Sequence, residues 1–247
     1  MERATKQFPI LEAELCARYM GVTTPMVNDV LRAMGKLSQT LPETIMPLKD
    51  EMKVAGIAFC ISGEKSTEQE GEMEKRAKML EAIGKDTVCV WATGGDNSAA
   101  QWGEIMTMAA KSRGCRGAMV DGGVRDTNRV LEQGFPVFCR YRSSSGMLGR
   151  FRLTGYQKPV TIGKVTICPG DVMLGDIDGC ICIPRDIAYE VLVEAEKIRD
   201  NEVEFKKMVD GGIRKFPLLY QMFFSISIDK LDILLYNNYQ LLYKREL

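Results

Sequence analysis

The sequence predicts an α/β fold with some parallel strands, and three observations predict it. Apolar runs of strand length alternate with amphipathic segments of helical period through the middle of the chain. Glycine-rich turns punctuate that alternation, at TGGDNS (93–98) and at the end of GAMVDGG (117–123). The 247 residues are 45% hydrophobic and 27% charged, enough to close a core without disulfides or a structural metal.

Helical pieces open the chain. Thr24 and Pro25 form a start signal, a hydroxyl at the N-cap followed by proline at the first helical position. Val27, Val30, Leu31 and Met34 then recur at helical spacing until Gly35 stops the run. KVAGIAFCIS (53–62) reads as a buried strand. Residues 70–83 read as a helix with Met73, Ala77, Leu80 and Ile83 on its apolar face and Gly84 behind it. DTVCVWA (86–92) is the next strand, and AAQWGEIMTMAAKSRG (99–114) reads as one helix. GAMVDGG is a strand running into a loop; Val124, Arg125 and Asp126 follow, then a short helix through Leu131. PVFCRY (136–141) is another strand. Between 149 and 184 short β segments take over, with turns at Gly163, at Pro169-Gly170-Asp171 and at Asp178-Gly179. A long amphipathic helix is expected over 185–209.

Composition excludes several functions. Lys plus Arg equals Asp plus Glu at 33 each, so bulk charge offers nothing to nucleic acid or an anionic membrane. There is no histidine, which removes Ser-His-Asp and Cys-His catalysis and every histidine-containing metal site. Acid–base work falls to carboxylates, lysines, tyrosines, cysteines or water. A metal would be a hard, oxygen-liganded ion such as magnesium. The eight cysteines include no CxxC pair and stand mostly among Val, Ile and Phe, so they read as small buried hydrophobes. Cys180 and Cys182 would share one strand face. The first residues, MERATKQFPI, lack a basic segment followed by an apolar one, and the cytoplasm is the expected compartment. Residues 217–247 contain no Gly, Ala or Val; the longest uncharged stretch there, 216–228, is 13 residues, against about 20 for a membrane span.

Four places carry residues suited to chemistry. The loop-to-helix segment 94–106 would aim backbone amides and a helix dipole at an anion, with Gly94 and Gly95 allowing close approach. It has neither a Walker pattern nor a dinucleotide fingerprint. Asp121-Gly122-Gly123-Val124-Arg125-Asp126 stands at a strand end, where α/β proteins place ligands. Arg125 offers a planar fork for a carboxylate or enolate, and Asp126 one oxygen for a magnesium ion that keeps most of its waters. The competing reading is a surface salt bridge. Glu104 stands 21 positions ahead of Arg125, with twenty residues between, and would meet it in one cleft if its helix ran back along the strand; otherwise it is a solvated charge. The acidic run 175–179 reads as a β-turn, since the longer ligand series of an EF-hand is missing.

Taken together, WGEIMTMAAKSRGCRGAMVDGGVRD (102–126), GFPVFCR (134–140), Gly149-Arg150, PVTIGKVTICPGDVMLGDIDGCICIP (159–184) and TTPMVNDVLRAMG (23–35) resemble the RraA-like family. That family includes the 4-hydroxy-4-methyl-2-oxoglutarate / 4-carboxy-4-hydroxy-2-oxoadipate aldolases. The resemblance spans about residues 10–212 and implies a single-domain RraA-like swivelling β/β/α sandwich over 1–212, with 213–247 an atypical C-terminal extension. It implies a homotrimer or hexamer with active sites between subunits. It also implies metal-dependent pyruvate aldolase chemistry, with oxaloacetate decarboxylation as a side activity. The family signature, an acidic residue, twenty residues and then Arg-Asp, is met by Glu104, Arg125 and Asp126, with glutamate where aspartate is frequent. Carried over, it implies that Gly103, Glu104, Ile105 and Met106 bind substrate through backbone amides. Arg125 would bind substrate and act in catalysis with Glu104, and Asp126 would hold the divalent metal, magnesium or manganese. The partner is then a small 2-oxo acid, with no nucleic acid and no membrane. Two alternatives stand beside this: a non-catalytic regulator that binds a ribonuclease, as some relatives do, and an aldolase for another 2-oxo acid such as a sugar-acid derivative. Arg140, Arg142 and Arg150 would greet a second carboxylate or are surface charges.

Overall fold

The computed structural model describes residues 7–210, and the expected extension over 213–247 lies outside them. Helices α1 (Glu12–Tyr19) and α2 (Thr24–Ala33) lead into β1 (Met46–Pro47) and the long β2 (Val54–Lys65). The alternating part follows: α3 (Glu72–Ala82), β3 (Thr87–Ala92), β4 (Ala100–Trp102), α4 (Glu104–Ser112), β5 (Gly117–Val124), α5 (Thr127–Glu132) and β6 (Val137–Arg142). The β-rich part contains β7 (Phe151–Tyr156), β8 (Val160–Ile162), β9 (Val165–Ile167), β10 (Val172–Asp176) and β11 (Gly179–Ile183), and α6 (Ala188–Asp210) ends it.

Nine strands make one mixed sheet in the order β1-β6-β5-β3-β2-β10-β11, with β4 beside β5 and β7 beside β2. β2, β3, β5 and β6 run parallel, and β10 and β11 add antiparallel. The sheet nearly closes on itself. Cys182 N donates to Gln39 O and Leu41 N to Cys180 O, both at 2.9 Å, so residues 39–41 edge β11. A few residues on, β1 crosses to pair with β6. The result is the expected α/β class, a single mixed domain.

Both faces of the parallel strands are buried, which is why they read as unbroken apolar runs rather than alternating ones. Phe59, Ile61, Trp91 and Val120 face a core shared with Met79, Ala110 and Val130 of α3, α4 and α5. Ala58, Cys60, Val90 and Phe138 face the interior of the curled sheet, filled by Ile45, Ile162, Ile167, Cys180 and Cys182. Helices α1, α2 and α6 cover β10 and β11. Seven of the cysteines are buried and Cys168 is half-buried, as expected of small core residues. No helix among the described residues is long and apolar enough to cross a membrane.

Three local expectations are corrected. The helix drawn over 99–114 is a strand followed by a helix: β4 pairs with β5 in parallel, Ala100 opposite Gly123 and Trp102 opposite Val124, before α4 begins. Trp102 is 1% exposed and stacks on Phe135 at 6.3 Å between ring centroids, burial that an exposed helical turn would forfeit. The buried face of α3 is also rotated from the expected one. Met73 is 66% exposed, while Glu72 is 1% exposed because its Oε2 accepts the Leu153 N–H at 3.1 Å. Finally, Thr24 is not a helix N-cap. Thr23 holds that place without a side-chain bond, and Thr24 gives its N–H and hydroxyl to Asp176 at 2.7 and 2.6 Å. Asp176 also receives the Asp178 N–H at 3.1 Å, so the acidic run is the expected turn, here between β10 and β11 and tied to α2.

Candidate active site at the end of β5

Because β4 lies alongside β5, α4 starts where β5 ends. Arg125 N donates to Trp102 O at 3.0 Å, which sets the two segments side by side. The turn between them is clamped from below: Trp102 Nε1 donates to Thr107 Oγ1 at 2.8 Å, and that hydroxyl donates to Gly103 O at 3.0 Å. Gly103 is buried against the Arg-Asp pair. A Cβ there would stand 3.2 Å from Arg125 Cγ and 3.3 Å from Asp126 Oδ2. Its φ of −173° is ordinary extended backbone, so glycine is required for closeness, not for conformation.

The N-terminus of α4 has no side-chain cap. The amides of Glu104, Ile105 and Met106 precede the first intrahelical bond, which Thr107 N makes to Gly103 O at 3.0 Å. Asp126 sits in the left-handed region at φ 53°, at the N-cap of α5, and makes no capping bond. A non-glycine residue held there costs of order 1 kcal/mol or more and tends to mark sites that use it. Its carboxylate is half exposed, 3.5 Å from Arg125 Nε. The Arg125 guanidinium lies over Gly146, where a Cβ would meet Nη1 at 2.6 Å.

Of the expected substrate-binding residues, Gly103 is brought against Arg125 and Asp126, with the α4 amides immediately after it. Ile105 is 68% exposed and Met106 packs its side chain on the core. The contacts of Glu104 run to α5. Gln133 Nε2 donates to its carbonyl at 3.4 Å. The Arg129 guanidinium, held above its ordinary range first by Glu132, feels the Glu104 charge as well. Arg142 donates to Leu48 O at 3.1 Å and Arg150 to Gly146 O at 3.2 Å, while Arg140 stands 3.8 Å from Asp121.

Sequence reasoning missed a buried polar network that fixes the loop leading into β4. Asp96, 3% exposed, accepts from Ser98 Oγ and Gln101 Nε2, both at 2.8 Å. Gln101 Oε1 accepts the Gly123 N–H at 2.9 Å, and the Tyr141 hydroxyl donates to Ala99 O at 2.8 Å. Asp121 accepts the Gly95 N–H at 3.1 Å. Burial holds the Asp121 carboxyl above its usual range, against the pull of that N–H and of Arg140. One amide of the glycine-rich loop is therefore taken by the protein's own carboxylate, which leaves the α4 end of segment 94–106 as the part open to an anion. The Gly122-Gly123 pair makes room for the network: a Cβ at Gly123 would lie 2.5 Å from the Tyr141 ring, and one at Gly122 would overlap the Gln101 amide. An Asp-Gly-Gly run at a strand end was the only sequence signal.

For a divalent ion, the donor set offers one exposed hard oxygen pair on Asp126. Among the described residues no three acidic or cysteine side chains gather into a cage. That fits an ion held through one carboxylate and otherwise by water and ligand oxygens, as magnesium prefers.

The fold is a mixed α/β sheet whose parallel strand β5 ends beside the uncapped start of α4. The pattern of the RraA-like family (Aldolase/RraA) matches residues 24–182, and the chain belongs to that family. A protein from Halalkalibacterium halodurans with the provisional name 4-hydroxy-4-methyl-2-oxoglutarate aldolase is 28% identical over 204 residues, 81% of this chain and 91% of that one. Protein DlpA of Legionella pneumophila is 29% identical over 186 residues; the match is 75% of this chain and only 30% of DlpA. Among solved structures, one described as a novel cellulase from gut-associated microbes is 47% identical, with a TM-score of 0.79 over 81% of this chain and 90% of that one. RraAS2 of Streptomyces coelicolor, described as an unusual member of the RNase ES inhibitor RraA family, is 26% identical, with a TM-score of 0.73 over 81% and 99%.

Proposed function

We propose that this protein is a divalent-metal-dependent lyase that cleaves 4-hydroxy-2-oxo acids of the 4-hydroxy-4-methyl-2-oxoglutarate type to pyruvate, and decarboxylates oxaloacetate at the same site. The reading rests on one observation: Gly103 packs directly on Arg125 and Asp126, so an uncapped helix start, a guanidinium and a hard oxygen meet at one point. The name given to the H. halodurans relative points the same way.

The substrate carboxylate is received by the amides of Glu104, Ile105 and Met106, where the helix dipole adds to their hydrogen bonds. Cleavage breaks the C3–C4 bond. The C4 hydroxyl proton leaves to a base, the bonding pair moves onto the 2-oxo group as an enolate, and C3 is then protonated to give pyruvate. Decarboxylation of oxaloacetate reaches the same enolate without that base. Arg125 faces the developing oxyanion, the charge whose stabilisation supplies the largest share of such catalysis. With no histidine in the chain, Glu104 is the carboxylate assigned to orient the water that takes the hydroxyl proton. Asp126 would hold magnesium or manganese, which when bound supplies Lewis-acid polarisation of the 2-oxo group. The exposed Ile105 and Met108 on α4, beside the site, suit the homotrimer or hexamer that the family resemblance implies.

Cellulose cleavage would ask for two carboxyl groups flanking a neutral sugar. Asp126 instead stands beside an arginine at the start of a helix, a place for anions. The ribonuclease-binding reading, carried by the S. coelicolor relative, is the alternative that the assay decides. Pyruvate release from oxaloacetate and from 4-hydroxy-4-methyl-2-oxoglutarate is measured with magnesium, with excess chelator, and for Asp126→Ala. Release from both that is lost with chelator and with the variant is expected. No release by the folded wild-type protein would transfer the proposal to the binding role.

A further inference from the structure

Two residues before each half of the candidate site, one side chain bridges the strands that carry them. Gln101 of β4 is 1% exposed. Its Oε1 accepts the Gly123 N–H of β5 at 2.9 Å, and its Nε2 donates to Asp96 Oδ2 at 2.8 Å. Gly103 stands two residues past Gln101, and Arg125 two residues past Gly123. The gap between the α4 amides and the Arg-Asp pair is therefore set at this joint and at the bond from Arg125 N to Trp102 O just beyond it.

The backbone alone holds this joint weakly. β4 is three residues long. The β4–β5 register shifts between Ala100 and Trp102, and the β5–β6 register shifts between Val120 and Gly123. A regular parallel pair is held by evenly spaced backbone bonds, and both irregularities fall beside Gly123. The Gln101 amide fills the break, in the room left by Gly122, where a Cβ would overlap Oε1. The far end of the bridge is itself fixed. Asp96 accepts from Ser98 Oγ at 2.8 Å and has Lys65 Nζ at 3.7 Å, and its carbonyl accepts the Tyr141 hydroxyl at 3.0 Å. Burial first and the Asp96 charge next hold that hydroxyl above its ordinary range, so it stays a donor.

We propose that Gln101 is a positioning residue of the candidate site: its two hydrogen bonds stop β4 from sliding against β5 and so fix the amides of Glu104 to Met106 relative to Arg125 and Asp126. The joint asks for one donor and one acceptor on the same side chain, since Asp96 must receive and Gly123 must give. The inference deepens the lyase reading, on which it rests for the roles on either side of the gap. In that reading the substrate carboxylate is held by α4 and the developing oxyanion by the end of β5. A slipped joint then lowers kcat before it raises KM.

The test is magnesium-dependent turnover of oxaloacetate by Gln101→Glu, Gln101→Met and Thr24→Val, each rate divided by the wild-type rate at the same pH. Gln101→Glu keeps the acceptor for Gly123 and sets a second carboxyl against Asp96. At high pH the two carboxylates repel; at low pH a shared proton restores the donor. Its relative kcat should be about 10- to 100-fold down at about pH 8 and recover to within about threefold at about pH 5.5, with KM within about threefold throughout. Gln101→Met makes neither bond and should stay at least about 10-fold down at every pH; it carries the kcat–KM comparison if the glutamate variant does not fold. Thr24→Val loses a buried hydrogen bond between α2 and β10 and should keep the wild-type kcat. Unchanged kcat in the Gln101 variants, a loss with one pH profile in both, or an equal loss in Thr24→Val would overturn the proposal. Hydrogen exchange separates this inference from the lyase reading: residues 100–107 and 121–126 should exchange faster in Gln101→Met than in Thr24→Val. That result with no pyruvate release by the wild-type protein would keep the positioning role and remove the lyase reading. Pyruvate release by the wild type, with kcat and exchange unmoved in both Gln101 variants, would do the reverse.

Discussion

Gly103→Ala isolates the contact on which the proposed chemistry stands. The added methyl would lie 3.2 Å from Arg125 Cγ, 3.3 Å from Asp126 Oδ2 and 3.5 Å from Arg125 O. Comfortable carbon contacts begin near ~3.5 Å, so the Arg-Asp pair must give way by a few tenths of an ångström. The backbone has no reason to object, since φ −173° is open to any residue. Alanine here is therefore a displacement without a conformational penalty. Overpacking at buried Gly103 presses on the half-exposed side chains of Arg125 and Asp126, which can yield, so it should cost about 1–2 kcal/mol and leave the domain folded. Catalysis is less forgiving: a misplacement of ~1 Å can cost ~100-fold, so a few tenths should cost ~3- to 10-fold in kcat/KM. The assay is magnesium-dependent pyruvate release from oxaloacetate, paired with urea unfolding of both proteins. A folded Gly103→Ala protein with wild-type kcat/KM would refute the claim that Gly103, Arg125 and Asp126 form one working unit.

Three further outcomes follow from other parts of the molecule. Glu104→Gln should depress cleavage of 4-hydroxy-4-methyl-2-oxoglutarate by at least ~10-fold more than oxaloacetate decarboxylation, because only the former must lose a hydroxyl proton; equal losses in the two rates would contradict that role. Thr24→Val removes the hydroxyl donor to buried Asp176 and should cost about 1–3 kcal/mol in chemical denaturation, with no preferential effect on KM; an unchanged midpoint would count against this tie. Asp121 is held above the usual carboxyl range, so the folded state keeps a proton that the unfolded chain has already lost. Its contribution to stability falls as pH rises between the unfolded and folded values, so Asp121→Asn should cost more at about pH 4 than at about pH 7, and the opposite trend would reverse the sign argued here.

How much of this was legible in sequence depends on how local the cause is. The parallel strands announce themselves because both of their faces are buried, as in TVCVWA of β3 and GAMVDGGV of β5. The turn at Asp178-Gly179, the stop after α2 and the small-hydrophobe role of the cysteines are likewise short-range matters of propensity and composition. The chain's lack of histidine bounds the chemistry without any coordinates. The Arg125-Asp126 pair could be singled out because strand ends are where such folds place ligands.

Tertiary structure decided what depends on partners distant in sequence. Ala100, Gln101 and Trp102 look helical in isolation, yet the open edge of β5 and the stacking surface of Phe135 make them a strand. The inward face of α3 was set by the Leu153 N–H, 81 positions away, which draws a glutamate into the core. No periodicity of apolar residues contains that information. Thr24 gave up a cap for Asp176, 152 positions on, because two good hydrogen bonds to a buried carboxylate outweigh one at a helix end. Sequence alone determined the class, the long buried strands β2, β3, β5 and β6, and the residue types available for catalysis. The structure decided which of them meet, because charge and hydrogen-bond satisfaction are settled between segments and not along them.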